Sequence, residues 1–199
     1  KSSLRLLVVG CLSALALVAW APIAGASEVR DASWASNSAD AQLGKDLRDC
    51  ITQKRRISVV FLVDESKSLV GNSKRPGNDP FGLRVLPMEG FVKSLVSYNE
   101  DQVDKIEMTA AIFGFGASFV ERQSWMTLDA NSLDGFNQKI KDQGNLNGDL
   151  YTRYHVALKG AVNAFDSDPN GTDTCRILYW FSDGEHDDND DSGLSETEV

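Results

Sequence analysis

The chain contains two apolar runs that each end in polar, oxygen-bearing residues. Residues 57–63 are almost all apolar and several are β-branched, which is typical of a strand covered on both faces within a parallel sheet. Residues 176–182 form a second run of this kind. The polar residues at the ends of the two runs are Asp64, Ser66 and Ser68, and then Ser182 and Asp183. The pattern therefore predicts two buried strands whose carboxyl ends carry carboxylate and hydroxyl oxygens.

Helical periodicity marks the segment between these two strands. Apolar residues recur at i, i+3, i+4, i+7, i+8 and i+11 from Tyr154 to Phe165, which predicts a helix that buries this stripe, with Thr152 just ahead of it. Further elements are predicted in the same way: helices over residues 88–96 and 133–140, and strands over residues 107–113 and 119–126. The predicted fold class is α/β with a mostly parallel sheet. The strands over residues 107–113 and 119–126 are predicted to form a hairpin that places an antiparallel strand at the edge of this sheet.

Five oxygen-bearing side chains map to one edge of this sheet. In an open α/β sheet, a ligand lies outside the carboxyl ends of the strands at a switch point. That edge holds Asp64, Ser66, Ser68, Thr152 and Asp183. Carboxylate and hydroxyl oxygens suit a hard cation such as Mg²⁺. These five residues are the predicted metal ligands, and Mn²⁺ or Ca²⁺ is an alternative to Mg²⁺.

This combination resembles the von Willebrand factor type A domain and its metal-ion-dependent adhesion site. The resemblance rests on D-x-S-x-S beginning at Asp64, on Thr152 followed by Ala157-Leu158, and on Ser182-Asp183-Gly184, and it covers roughly residues 57–185. It implies a Rossmann-like, doubly wound sheet with helices on both faces. It also implies that the five ligands hold Mg²⁺ while an Asp or Glu carboxylate of a protein partner completes the coordination.

The amino-terminal segment has the form of a secretory signal peptide. Two basic residues flank the start of an apolar run over residues 6–21, and Ala24-Gly25-Ala26 has the small-x-small pattern of a cleavage site. A membrane anchor is the alternative, but the run of about 16 residues is shorter than the ~20 of a spanning helix. We therefore expect residues 1–26 to be removed, no membrane insertion of the mature chain, and a location outside the cell or at its surface.

The rest of the chain divides into a linker and one domain. Residues 27–49 are polar and aperiodic and are predicted to form a linker. Residues 50–199 are assigned to the domain. Within them, residues 188–193 match the early positions of an EF-hand loop, so this acidic stretch is either a calcium site or a solvated loop.

Net charge narrows the class of partner. The formal charge of −9 becomes −11 once the two positive charges of the signal peptide, Lys1 and Arg5, are removed. A chain this acidic argues against nucleic acid and against an anionic membrane as partner, because both repel negative charge.

Two cysteines remain after cleavage of the leader. Cys175 directly precedes the second buried strand and Cys50 lies seven residues before the first. The family resemblance implies that these strands are neighbours in the sheet, which would place both cysteines at adjacent strand starts. An exported protein permits disulfides. A Cys50–Cys175 bond is therefore predicted, with free thiols as the alternative.

Three function classes are compatible with these features. The favoured one is a non-enzymatic extracellular module that binds a protein partner through Mg²⁺. The second is a structural or regulatory subunit of the same family with a vestigial metal site. The third is a Mg²⁺-dependent phosphatase of the haloacid dehalogenase type. That class is disfavoured because it requires a second Asp two residues after the first, where this chain has Ser66.

The resemblance also implies that the domain is carboxy-terminally incomplete. In the family two further strands follow the strand over residues 176–182, whereas here sixteen residues follow Asp183 and nearly all are polar. We therefore expect the strand over residues 176–182 to lie at an open, apolar sheet edge, and the isolated mature segment to aggregate.

Overall fold

A computed structural model describes residues 7–10, 38–73 and 75–183 of the chain. The strands in this part are β1 (Leu7–Gly10), β2 (Arg56–Asp64), β3 (Gly71–Asn72), β4 (Arg75–Pro76), β5 (Glu107–Phe115), β6 (Phe119–Thr127) and β7 (Cys175–Phe181). The α-helices are α1 (Ser38–Lys54), α2 (Val85–Glu100), α3 (Leu133–Gln143) and α4 (Tyr154–Asp166), and Lys67–Leu69 form a single 3-10 turn.

Five of the strands form one sheet in the order β1-β7-β2-β5-β6. All neighbours are parallel except β5 and β6, which form an antiparallel hairpin at the edge. The strand β2 lies at the centre, and eight of its nine residues are buried. Strands β3 and β4 form a separate two-stranded hairpin. The mostly parallel sheet with an antiparallel edge strand confirms the predicted topology.

Helices cover both faces of the sheet. Successive side chains of β2 point to opposite faces, so each face has its own core cluster. Val59, Phe61 and Val63 of β2 belong to one core cluster, together with Met88 and Val92 of α2 and with residues of α3. Val60 and Leu62 belong to the other, together with the α4 residues Ala157, Ala161, Ala164 and Phe165. The fold is thus a doubly wound α/β fold, as predicted.

The prediction of a linker over residues 27–49 is wrong for residues 38–49, which belong to α1. Two side chains four residues apart, Leu47 and Ile51, lie against the core on one side of this helix. The helix ends at Lys54, and the next residue, Arg55, has a φ of 54°, the left-handed conformation typical of a residue that follows a helix. The linker prediction overlooked a helical period, because Leu43, Leu47, Cys50 and Ile51 fall at i, i+4, i+7 and i+8. Residues 27–37 lie outside the described part.

The predicted disulfide is confirmed. Cys50 of α1 is bonded to Cys175 at the first position of β7, with a Cα–Cα distance of 5.9 Å and a sequence separation of 125. The bond attaches α1 to the sheet at the amino ends of the parallel strands. These ends are opposite to the edge at which the predicted metal ligands lie.

The outer side of β7 is paired with β1, whose four residues belong to the predicted signal peptide. Leu7 is in register with Ile177 and Gly10 with Trp180. In the described part of the chain β7 therefore has a strand on each side, whereas the sequence predicts an open edge for the mature segment. The rest of the predicted signal peptide and the EF-hand-like loop over residues 188–193 lie outside the described residues. No helix in the described part is long and apolar enough to cross a membrane.

Breaking the disulfide should lower the free energy of unfolding. In the chain-entropy model, a loop with a sequence separation of 125 is worth about 4–5 kcal/mol, because the bond restricts the unfolded chain. Denaturant unfolding with and without reductant measures this loss. The double variant Cys50→Ala/Cys175→Ala is the control, since its stability should not respond to reductant. An unchanged unfolding midpoint of the wild type under reductant would contradict the prediction.

Candidate metal centre

Asp64 ends β2, and its carboxylate is held by the turn that follows. The residue is 0% exposed. Its Oδ1 accepts the backbone N–H of Ser66 at 2.8 Å, which is the geometry of an Asx-type turn. The N–H of Glu65 donates to the carbonyl of Phe115 at the end of β5, at 2.9 Å. The turn is thereby fixed to the neighbouring strand, and the Asp64 carboxylate has a defined orientation.

The two serines of the D-x-S-x-S motif lie side by side on this turn. The hydroxyl oxygens of Ser66 and Ser68 are 2.8 Å apart. Ser66 is almost fully buried, and Ser68 belongs to the 3-10 turn. Alternate residues on a tight turn thus bring two neutral oxygens together next to the Asp64 backbone.

The end of β7 brings Ser182 and Asp183 to the same place. The Ser182 hydroxyl donates to Asp64 Oδ2 at 2.7 Å, and its oxygen lies 2.8 Å from the hydroxyl of Tyr154 at the start of α4. Asp183 Oδ2 accepts a hydrogen bond from the Asn78 side chain at 3.2 Å. Asp183 is close enough to Asp64 to perturb its titration.

Thr152 is carried by the loop that precedes α4. In this loop, the Asp149 N–H donates to the Glu65 carbonyl at 3.1 Å and the Asp149 carbonyl accepts the Lys67 N–H at 2.6 Å. The loop is thus bonded to both sides of Ser66. Thr152 follows three residues later and is only 3% exposed. All five predicted ligands lie at the carboxyl edge of the sheet. Hydrogen bonds join Asp64, Ser66 and Ser68 directly, and Asp183 is linked to this turn through Asn78.

The electrostatics of Asp64 are those of a buried acid among neutral donors. Burial raises the pKa of Asp64 above its usual value of 3.8, while the hydrogen bonds from Ser182 and Ser66 lower it and the charge of Asp183 raises it. The groups that donate to Asp64 are a hydroxyl and a backbone N–H, and neither carries a positive charge. A bound cation would favour the ionised form of both carboxylates.

The chemistry of the donor set fits a hard cation. The five side chains offer carboxylate and hydroxyl oxygens, the ligands that suit Mg²⁺ and Mn²⁺, and no nitrogen or sulfur. Within the described residues, no cluster of three or more His, Cys, Asp and Glu could hold a metal on its own. Any ion at this edge would therefore need the hydroxyls of Ser66, Ser68 and Thr152 in addition to the two carboxylates.

Sequence reasoning missed the roles of Tyr154 and Glu65. Tyr154 is read from the sequence as part of an apolar stripe, yet its hydroxyl is hydrogen-bonded at the site. Glu65 is 6% exposed and forms a two-pronged ion pair with Arg122 of β6. A Cβ on Gly114 would lie 1.8 Å from Glu65 Oε1, so the absence of a side chain at this position makes room for the pair. No sequence pattern links these residues, because they lie on different elements that are far apart in the chain.

A groove of about 650 Å³ opens beside the candidate centre. Its walls are Ala117, Ser118, Val120 and Arg122 of the β5–β6 hairpin and residues 145–151 of the loop that precedes Thr152, with Glu65 on one side. Leu150 lines this groove and is 67% exposed. Nearby loops expose further large apolar side chains, with Phe81 at 83% and Leu83 at 56%.

Comparison with known proteins gives weak and partial matches. No protein-family model and no curated protein matches the chain. The PilB minor pilin from Streptococcus sanguinis is 19% identical over 57% of this chain and 27% of its own, with a TM-score of 0.43. The vWF domain of the type V pili tip protein Mfa5 from Porphyromonas gingivalis is 19% identical over 57% of this chain and 34% of its own, with a TM-score of 0.41.

A third solved structure is proximal thread matrix protein 1 from the mussel byssus. It is 18% identical over 66% of this chain and 32% of its own, with a TM-score of 0.45. The chain thus spans only 27–34% of the length of these three structures. Similarities at this level carry no conclusion about activity or partner.

The pKa of Asp64 leads to a prediction for the metal-free protein. Because the folded-state pKa is raised, the stabilising contribution of the neutral acid is complete below about 3.8 and is lost as pH rises through the folded-state value. We therefore expect Asp64→Asn to gain stability relative to the wild type as pH rises. Urea unfolding of both proteins in chelator over pH 3.5–8 measures the difference in their free energies of unfolding. Taking the difference cancels the titration of the groups that the two proteins share. A pH-independent difference would contradict the prediction.

Proposed function

We propose that this protein is a secreted, non-enzymatic adhesion module that binds a protein partner through a metal ion. The ion is Mg²⁺ or Mn²⁺, held by Asp64, Ser66, Ser68, Thr152 and Asp183. One observation carries the proposal. At the ends of neighbouring strands, Asp64 is hydrogen-bonded at 2.7 Å to Ser182, the residue before Asp183, beside a pair of serine hydroxyls 2.8 Å apart.

The donor set explains why a partner carboxylate would bind. Three of the five ligands are neutral hydroxyls, so the charge of a dication would be only partly balanced by the protein. An Asp or Glu side chain of a partner would then complete the coordination and supply further negative charge. The bound ion would also offset the cost of burying Asp64 next to Asp183, since a nearby cation favours the ionised form of both.

The surface around the centre supports a protein partner. Leu150 and Phe81 are strongly exposed on two loops whose backbones are hydrogen-bonded to residues 67–69, so large apolar side chains are available to a partner beside the centre. The phosphatase alternative is less well supported. In that class the position of Ser66 would hold a carboxylic acid able to donate a proton, whereas the Ser66 hydroxyl is hydrogen-bonded to Ser68.

The metal proposal predicts one binding site that depends on Asp64. The wild type should bind one Mn²⁺ per chain in calorimetry, and Asp64→Asn should lose this binding because one of the two carboxylates is gone and Asp183 with the neutral hydroxyls holds a dication only weakly. Glu107→Gln is the matched control. This substitution removes the same charge as Asp64→Asn. Glu107 lies at the opposite end of the sheet, where it is paired with Arg56 at 2.7 Å. Equal affinity in wild type and Asp64→Asn would refute the assignment, and no binding by the wild type would favour a vestigial site.

Metal binding should also stabilise the fold. At a free Mn²⁺ concentration of 100 times Kd, linkage predicts a gain of about 2.7 kcal/mol in the free energy of unfolding. Denaturant unfolding with and without Mn²⁺ measures this gain. The gain should persist in Glu107→Gln and disappear in Asp64→Asn. A gain of the same size in Asp64→Asn would show that the stabilising ion binds elsewhere.

A further inference from the structure

Arg84, at the start of α2, is a fully buried cation. Its side chain is 0% exposed and forms an ion pair with Asp79, from Nη1 to Oδ2 at 2.9 Å. Its Nη2 donates to the carbonyl of Gln143, the last residue of α3, at 2.8 Å and to the carbonyl of Leu146 at 3.0 Å. Nη2 also donates to Asn147 Oδ1 at 2.6 Å. One guanidinium thus joins two segments that lie about 60 residues apart in the chain, at separations of 59 to 63.

Each of these segments is attached to the D-x-S-x-S turn. The Asp79 N–H donates to the Leu69 carbonyl at 2.7 Å, and the neighbouring Asn78 N–H donates to the Ser68 carbonyl at 3.3 Å. The segment that contains Asn147 continues into Asp149, whose backbone bonds on both sides of Ser66. Arg84 therefore connects the loop after Ser68 with the loop that carries Thr152.

The two loops are also in direct backbone contact next to Arg84. A Cβ on Gly82 would lie 2.5 Å from the Gly144 carbonyl oxygen, and Gly82 has a φ of 65°, which favours glycine. A guanidinium can bind a carboxylate on one side and several carbonyl oxygens on the other, because its donors are fixed in one plane. A lysine ammonium has no such fork and cannot span both loops in the same way.

We propose that Arg84 is a positioning residue of the candidate metal centre. It holds the loop that carries Thr152 against the turn that carries Ser66 and Ser68, and so sets the spacing of the three hydroxyls. This inference rests on the proposed function for its metal-binding consequence. The loop attachment itself can be tested without any metal.

The sign of the effect on metal affinity separates positioning from electrostatics. Arg84→Met removes a positive charge near the proposed cation, so Coulomb interactions alone would strengthen Mn²⁺ binding. Loss of positioning would instead weaken it, by about 10–100-fold as for other groups that orient metal ligands. Arg84→Lys keeps the charge and should weaken binding in the same direction.

Asn99→Ala is the matched control for a general loss of stability. Asn99 is also buried on α2, but at its other end, where its side chain bonds the backbone N–H and carbonyl of Ile106 at 2.7 and 2.9 Å. Calorimetry with Mn²⁺ on the four purified proteins gives the affinities. The account predicts weaker binding in both Arg84 variants and wild-type affinity in Asn99→Ala. Unchanged or tighter binding in Arg84→Met would overturn it.

Amide hydrogen exchange in chelator provides the readout that does not depend on metal. The amides of Lys67 and Asp149 bridge the turn and the loop, so both should exchange at least about tenfold faster in Arg84→Met than in Asn99→Ala. If the wild type bound no Mn²⁺, the proposed function would fail, and this exchange result would still decide the attachment. Equal exchange at both amides in the two variants would overturn the positioning role.

Discussion

The candidate centre depends on the register of two parallel strands. Val63 of β2 is paired with Phe181 of β7, so the next residues in each strand, Asp64 and Ser182, are level with each other and their side chains meet at 2.7 Å. A shift of one residue would turn every side chain of β7 to the other face of the sheet. Both strands are buried under helices on each side, so such a shift would have to repack closely packed side chains on both faces at once. Core packing thereby fixes which polar side chains converge.

Loops of quite different sequence position complete the edge, and polar contacts hold them there. Asp149 attaches the loop before α4 to the D-x-S-x-S turn through its backbone. Arg84 connects that loop to the segment after Ser68 through hydrogen bonds to Asn147 and Asp79. The site is therefore assembled on a rigid frame of strands but completed by loops whose positions rest on a few hydrogen bonds. This division explains why a buried arginine that is not itself a proposed ligand can control the spacing of the ligand oxygens.

The sequence predicts the elements whose patterns are strong. Strand β2 and helix α4 have long apolar signatures, and the predicted ligands follow because strand ends in a parallel sheet share one edge. Helix α1 is missed because residues 38–49 are mostly polar, although Leu43, Leu47, Cys50 and Ile51 follow a helical period. The sequence pattern also does not predict the contacts of Tyr154 and Arg84. A tyrosine in an apolar stripe looks like core, and arginine is usually exposed, so only the three-dimensional structure reveals what these side chains bind.

The most direct test of the account is the location of a bound ion. Crystals of the protein grown with Mn²⁺ should show one anomalous difference peak at the carboxyl ends of β2 and β7, within coordination distance of the Ser66 and Ser68 hydroxyls and beside the Asp64 and Asp183 carboxylates. The account predicts that the same crystals of Asp64→Asn lack this peak. A fully occupied peak elsewhere on the protein, or no peak at this edge at saturating Mn²⁺, would contradict the central claim that these strand ends form a metal centre.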